Sequence, residues 1–467
     1  MELAILNGKP NNIFPECHNR SIRNHFDCGE NCMESIWKAS AEMPRFPALD
    51  RDIKTDVLII GGGIAGILTA FFLGQKGVDY VLVEKEKICS GITGNTTAKI
   101  TFQHGLIYNK ILKTSGAGAA KQYLLANCAA FDKYAELCES IDCDYTVSDN
   151  YVYSTGDRQI LEEEISALNK IGYSAVLCEK ADIPIKNVGA VMFPRQAQFN
   201  PLKFLAAIAK DLKIYENTFV REMVGTTAVT DKYKIRADKV IVATHFPFIN
   251  KHGLYFLKMY QHRSYVIALE NAGRVDGMYV DNDSGGMSLR NYGSYLFVGG
   301  SGHRTGKNGC GWEALRKFAR QTFPQAKEVY HWAAQDCMSL DKIPYIGHYS
   351  KHTPNLFTAT GFNKWGMTLA MVSAMILSET VLGRRSEYAQ VFDPSRSILK
   401  PQLLVNGFES TKNLLTPTSK RCPHLGCALK WNKAEHTWDC PCHGSRFSSQ
   451  GKVLDNPANG DLKGAGR

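Results

Sequence analysis

The sequence predicts an α/β protein: a Rossmann-like nucleotide-binding domain, an α+β domain interleaved with it, and a small separate C-terminal domain. Three observations predict this. A strand-like stretch at residues 55–60, apolar from Val57 to Ile60, runs into Gly61-Gly62-Gly63-Ile64-Ala65-Gly66 and then a helical pattern. Strand-like segments of similar character return far downstream, at residues 239–244 and 355–359, so one sheet is assembled from distant pieces. Near the C-terminus, four of the 14 cysteines and three of the 13 histidines crowd into residues 421–447.

The first element is Val57-Leu58-Ile59-Ile60, four consecutive apolar residues, as in a strand buried on both faces. In the G-x-G-x-x-G that follows, Gly61 permits a tight turn and Gly63 lets the backbone approach a pyrophosphate. Gly66 lets the helix pack on the strand. Residues 64–76 read as that helix, with Leu68, Phe71 and Phe72 on one face. Its N-terminus offers free N–H groups and partial positive charge to phosphates. A second buried strand, 80–83, ends at Glu84, 18 residues after Gly66, where a carboxylate can accept hydrogen bonds from ribose hydroxyls. The fingerprint alone leaves NAD and FAD open. The small, polar, Gly-rich stretch 87–105, which contains Thr97, suits a phosphate and a ring system. Downstream, Gly361-Phe362 and Gly366-Met367-Thr368 open a helix running to about residue 382.

Together these residues resemble the FAD-dependent D-amino-acid oxidase/glycine oxidase superfamily. The fingerprint, the Val242-Ala243-Thr244 strand end, the turn Pro344-Tyr345-Ile346-Gly347 and the G-F-x-K-x-G-M-T from Gly361 match in order, over about residues 36–395. The resemblance implies FAD-binding segments at about 50–110, 195–250 and 335–395. Substrate segments at about 111–194 and 251–334 would build an antiparallel sheet over the flavin, from pieces such as 264–269 and 294–299. Cofactor contacts are implied at Gly61, Gly63, Gly66, Glu84, Thr97, Val220 (whose backbone would meet adenine) and Gly361. Gly366, Met367 and Thr368 would aim a helix N-terminus at the flavin pyrimidine ring, where it stabilises negative charge. Some relatives tether the flavin through a cysteine several residues before an Asp-x-x-Pro. Counting back that far from Asp341 reaches Ala334 rather than Cys337, so FAD is expected to be non-covalent.

Relatives oxidise a C–H bond beside an amine nitrogen, so an amine or amino-acid-like substrate is expected. A carboxylate on it would call for an arginine fork. Arg263, Arg290 and His303 are the candidates, with Arg304 and His104 behind them; each reads first as a surface or structural residue.

Residues 392–405, with two prolines and no helical pattern, read as a connection, with the linker proper at 396–402 and a domain at 403–467. So small a core calls for a metal or disulfide. Cys422-x-His424 and Cys440-x-x-His443 fit two-Cys, two-His zinc or an iron–sulfur centre. Zinc usually shows C-x-x-C knuckles, and it would leave Cys427 and Cys442 over. The full string C-P-H-L-G-C … C-P-C-H-G-S resembles the two boxes of Rieske proteins. That resemblance implies a small all-β domain holding a [2Fe–2S] cluster. Cys422 and Cys440 would bind one iron, His424 and His443 the other, and a Cys427–Cys442 disulfide would join the loops. Replacing two thiolates by imidazoles raises the potential from about −400 mV to roughly −150 to +300 mV. Ser445 matches the family's hydroxyl donor to the cluster. Phe447 stands where a tyrosine donor is usual, which implies a potential below that of respiratory Rieske proteins. Asn456-Pro457-Ala458 resembles the proline loop that shields the cluster. His436 falls outside both boxes and reads as a turn residue.

Composition narrows the setting. The chain is 44% hydrophobic and 21% charged, with net charge +10, too dispersed to argue for nucleic acid. Residues 400–467 carry ten Lys/Arg against five Asp/Glu, a balance that suits a soluble basic domain or a docking face for an acidic redox partner. No apolar run reaches the ~18 residues of a membrane span, and MELAILNGKP lacks the pattern of a secretory leader; a cytoplasmic protein is expected. The ten cysteines outside the tail read as scattered thiols. Cys17, His18, His25, Cys28 and Cys32, in an N-terminal leader at residues 1–35, match no metal template. The leading expectation is an enzyme that takes electrons from an amine or amino-acid-like substrate at FAD and passes them singly through the cluster to an external acceptor such as a redox protein. Reverse flow, and a sensor or electron-transfer module without turnover, are the alternatives. The domain order resembles a bacterial group of Rieske-tailed FAD oxidoreductases.

Overall fold

Ile53–Ile60 lies inside an eight-stranded sheet because its last four residues are apolar on both faces. It pairs in parallel with Tyr80–Val83, which pairs in turn with Ile214–Tyr215. On its other side it pairs in parallel with Lys234–Val242, and that strand with Leu356–Thr360. Tyr345–His348 closes this edge antiparallel. The hairpin Val220–Val224/Thr227–Thr230 adds onto Lys234–Val242. The structure, a computed structural model, describes residues 34–283 and 285–462; the Cys17–His18, His25, Cys28 and Cys32 group lies outside the described residues.

Helices Ile64–Gln75 and Gly366–Thr380 pack against each other under this sheet. The second is apolar nearly all round, from Leu369 through Leu377, and a helix without a polar stripe is stable only when buried. Leu369, Ala370, Ile376 and Leu377 are fully buried beside Ile67, Leu68 and Leu73.

A nine-stranded sheet forms the second layer. Its path runs Lys327–Ser339, Met259–Glu270, Tyr295–Arg304, Ser288–Tyr292, Met278–Asp281, Thr146–Ser154, Gly189–Gln198 and Lys99–Ile100, with Val176–Cys178 added on Gly189–Gln198. The expected antiparallel arrangement holds with one exception: Met278–Asp281 pairs in parallel with Thr146–Ser154. These strands come from the two separate substrate segments, so no hairpin dictates their direction.

The C-terminal domain is a four-stranded antiparallel meander: Lys430–Asn432, Thr437–Asp439, Arg446–Phe447 and Val453–Asp455. His436 occupies the left-handed turn of the first hairpin (φ 54°). The expectation of a non-helical connection over 392–405 is overturned: Ala389–Phe392 and Pro401–Leu415 are helices. Pro401 takes the first helical position, where its fixed φ is suited and its missing N–H costs nothing. The helix escaped the pattern search because its apolar residues do not face a core. Before it, Arg396 is anchored in the flavin-domain side by Asp341, at 2.8 and 2.9 Å, and by the Pro344 carbonyl.

Candidate functional site

A cavity of about 480 Å³ opens along the carboxyl ends of the parallel strands, the place where doubly wound sheets bind ligands. Ile60, Gly61 and Gly63 from the first strand and its loop line it, with Glu84, Thr97, Val220, Thr244, Gly361, Gly366 and Met367. Gly61 holds φ +113°, and a Cβ there would lie 2.6 Å from the Ala243 carbonyl oxygen. A Cβ on Gly66 would lie 1.9 Å from the Gly61 carbonyl oxygen, so the helix can cross the strand only at glycine. Gly66 therefore acts through packing, away from the cavity wall. The Glu84 carboxylate accepts from Gly62 N at 2.7 Å and from Glu86 N at 3.1 Å; burial raises its pKa. Thr93 Oγ1 accepts from Ile64 N at 3.0 Å, giving the helix entrance one side-chain partner.

Thr368 is buried behind the wall. Its hydroxyl donates to the Thr101 carbonyl at 2.8 Å and meets His104 Nε2 at 2.9 Å. His104 lines the cavity, stacked on Trp365 at 5.1 Å. Burial lowers its pKa to about 3, so it is a neutral hydrogen-bonding group.

The other four substrate candidates are engaged elsewhere. Arg263 forms a two-pronged ion pair with Glu435 of the C-terminal domain. Arg290 is enclosed beside Trp37 and Phe297 and donates to Gln198. His303 meets the Tyr265 hydroxyl at 3.2 Å. Arg304 donates to the carbonyls of Pro441 and Cys442. Instead, Lys110, Lys342 and Lys364 line the cavity. Lys342 and Lys364 expose surface yet are enclosed by protein, as side chains facing an open cavity must be; burial lowers the pKa of all three. Lys342 further depresses Lys110 and Lys364, so the three form one electropositive group. None has an ion pair or hydrogen bond on its ammonium among the described residues; Asp341 acts on Lys110 and Asp336 on Lys364 only at longer range. Asp336 stands nearby, its pKa raised to about 6 by burial against the pull of Lys364.

In the C-terminal domain the two Cys/His loops face each other. The sulfurs of Cys427, Cys440 and Cys442 lie within 4.8 Å of one another, and Cys422 adjoins Cys440. Cys427 and Cys442 stand side by side as unbonded thiols. The His424 and His443 rings are 5.0 Å apart. His424 Nδ1 and both nitrogens of His443 are buried without a partner. Burial lowers the pKa of His424 to about 3 and lowers that of His443, which keeps both neutral, the form that binds metal. Two adjacent buried thiols and two neutral imidazoles with orphaned nitrogens fit a mixed Cys/His iron–sulfur centre. The Ser445 hydroxyl bonds the Cys422 sulfur, and Phe447 is fully buried.

Comparison with known proteins agrees with both halves. The family model described as FAD-dependent oxidoreductase matches residues 56–380, and the Rieske [2Fe-2S] domain model matches residues 388–465. The chain belongs to the FAD-dependent oxidoreductase family. It is 34% identical to YhfW of Bacillus subtilis (strain 168), named as a Rieske 2Fe-2S iron-sulfur protein, over 92% of this chain and 97% of that one. Its fold resembles glycine oxidase from Geobacillus kaustophilus (TM-score 0.62, 18% identity, covering 74% of this chain and 99% of that one). It also resembles L-proline dehydrogenase from P. horikoshii (TM-score 0.61, 18% identity, 75% and 98%). This oxidoreductase binds FAD in its family domain and a [2Fe–2S] cluster in its Rieske domain. No helix among the described residues is long and apolar enough to cross a membrane.

The seat of the Rieske domain is the part of the oxidoreductase that sequence reasoning missed. His424 Nε2 meets Asn250 Oδ1 at 2.9 Å. Phe246 packs edge-on to both imidazoles, with centroids 6.4 and 6.3 Å away. Thr244 and His245, just before it, line the flavin cavity. Gln261 donates to the carbonyls of His443 and Asn456, and Gln335 to that of Gly444. Residues 453–456 of the Rieske domain line the cavity itself, with Ala458 and Asn459. Lys85, next to Glu84, donates to the Leu454 carbonyl at 3.1 Å. Arg221, next to Val220, donates to that of Asn459 at 2.8 Å. No local motif marks these contacts, because most partners lie well over a hundred residues apart in the chain.

Proposed function

We propose that this oxidoreductase oxidises a carboxylate-bearing amine, such as an amino acid, and delivers the electrons singly through its Rieske centre to an external acceptor. The observation that carries this reading is the shared wall. Thr244 and His245 border the flavin cavity while the adjoining Phe246 packs against the histidine side of the Rieske loops. When bound, FAD accepts a two-electron equivalent and the cluster carries electrons one at a time.

The chain's own residues set the rest. Gly61 and Gly63 bring backbone close to a pyrophosphate, and Glu84, Thr97, Val220 and Gly361 frame the cofactor. Gly366 and Met367 present a helix N-terminus whose dipole favours negative charge on the flavin. FAD is held without a tether: the Cys337 thiol in the wall is buried and its pKa is raised well above the ordinary value, which makes it a poor nucleophile. In the Rieske domain Cys422, Cys440, His424 and His443 would hold the cluster, and the adjacent thiols of Cys427 and Cys442 would close as the loop-joining disulfide on oxidation. Lys110, Lys342 and Lys364 take the part first expected of an arginine, pairing with the substrate carboxylate through charge-assisted bonds. His104 and Trp365, stacked on each other, add an uncharged aromatic wall to the same cavity.

The test is anaerobic mixing with a panel of carboxylate-bearing amines and their decarboxylated analogues. Flavin bleaching by the acids, followed by the cluster's EPR signal, is the expected result. Cluster reduction that precedes bleaching, or bleaching by the decarboxylated analogues alone, would overturn the reading. Lys364→Met should raise KM for the acid about 10- to 100-fold, equivalent to ~1.4–3 kcal/mol of lost charge-assisted binding, with both cofactors retained.

A further inference from the structure

The helix Pro401–Leu415 is built inside out. Its polar side packs on the protein. Asn406 and Asn413 are 2% and 4% exposed, and Glu409 is ion-paired with Lys307 at 2.6 Å. The Asn406 side-chain oxygen accepts from Arg304 at 3.0 Å, its amide donates to the Leu257 carbonyl, and Ala428 N donates to the Asn413 carbonyl at 2.9 Å. The opposite side carries Leu404, Phe408 and Leu415, which fall on one helical stripe. They are 78%, 67% and 77% exposed, and Leu399, just ahead of the helix, is 82% exposed. A surface helix ordinarily turns its apolar stripe to the core. A contiguous ridge of large apolar side chains in water marks an interaction surface.

The charge around the ridge identifies the chemistry of what covers it. Leaving out Arg396, which Asp341 neutralises, residues 397–434 contain six Lys/Arg and a single acid, Glu409, whose charge is already met by Lys307. Lys412, Lys420 and Arg421 are exposed, and Lys412 is close enough to act on Glu409. The occupant is therefore anionic at its surface and apolar beneath it. A folded acidic protein would have to supply an apolar groove matched to this one helix, whereas a bilayer of anionic lipids offers both layers to any amphipathic helix.

We infer that this ridge docks the protein on an anionic membrane surface, with Leu404, Phe408 and Leu415 entering the headgroup–acyl boundary and the flanking lysines and arginine meeting lipid headgroups. The contact is peripheral. The inner side of the same helix touches the Rieske loops, with Cys442 Sγ 4.0 Å from the Glu409 carbonyl, so docking brings those loops beside the membrane.

The test uses the full-length holoprotein and sedimentation with vesicles of phosphatidylcholine alone or of phosphatidylcholine with phosphatidylglycerol. Pelleting with the anionic vesicles, weakened by added salt, is the expected result. The variant Leu404→Gln/Phe408→Gln/Leu415→Gln should lose binding by roughly tenfold or more, with flavin and cluster absorbance and dye-linked turnover unchanged. Three outcomes would overturn the inference. One is no pelleting with anionic vesicles at low salt. Another is pelleting that the triple variant leaves intact. The third is a dimer in sedimentation velocity that the triple variant converts to monomer, which would assign the ridge to a second copy of the chain.

Discussion

At the scale of single residues, Phe447 and Ser445 define what the cluster feels. Ser445 bonds the Cys422 sulfur, while Phe447 is buried and brings no hydroxyl. Hydrogen bonds to cluster sulfurs draw electron density away and raise the potential. Phe447→Tyr should therefore shift the midpoint upward within the roughly −150 to +300 mV Rieske range, and Ser445→Ala downward; protein-film voltammetry reads both. The residues legible in the sequence were those whose role is local. Gly61, Gly63 and Glu84 follow one another along a strand and a turn, and the Cys/His boxes are short strings. The lysine group was illegible because Lys110, Lys342 and Lys364 come from three separate stretches and only the folded chain gathers them.

Among elements, the crossing of Ile53–Ile60 with helix Ile64–Gln75 is set by the absence of a side chain. With 1.9 Å between a Gly66 Cβ and the Gly61 carbonyl oxygen, Gly66→Ala must push the helix off the strand. It should cost at least the ~1–3 kcal/mol typical of overpacking and displace the glycine loop, giving protein that purifies with substoichiometric flavin and a lower Tm. The strands Tyr80–Val83 and Lys234–Val242 were readable from the apolar runs they contain, Tyr80–Val83 and Val240–Val242, which survive only when covered on both faces. The parallel pairing of Met278–Asp281 with Thr146–Ser154 was not, since alternating strands fix which face is buried but not which neighbour is chosen.

At the scale of the whole molecule, the two domains are bound by a buried charge network across their interface. Glu435 accepts from Arg263 and from Arg446, and Arg446 also pairs with Asp439 and Asp455. Burial alone would raise the Glu435 pKa; Arg263 and Arg446 instead hold it at about 2, below its usual 4.5. A depressed carboxylate stabilises the folded state above its unfolded pKa and loses that contribution as pH falls toward the folded one. Interface stability should thus decline between about pH 4.5 and 2, seen as a falling Tm. Glu435→Gln should flatten that decline and cost about 3–5 kcal/mol at neutral pH by leaving the buried Arg263 guanidinium without its carboxylate, while Arg446 keeps Asp439 and Asp455.

The strip of Rieske residues in the flavin cavity wall has a thermodynamic consequence. Lys85 and Arg221 grip the carbonyls of Leu454 and Asn459, so whatever orders that strip also completes the nucleotide pocket. Occupancy of either prosthetic group must then favour the other, and by linkage the coupling is the same in both directions. Protein matured without iron should take up flavin more weakly than the complete enzyme. By the same factor, protein matured without riboflavin should retain its iron more weakly, a reciprocity that titration of each half-loaded form measures.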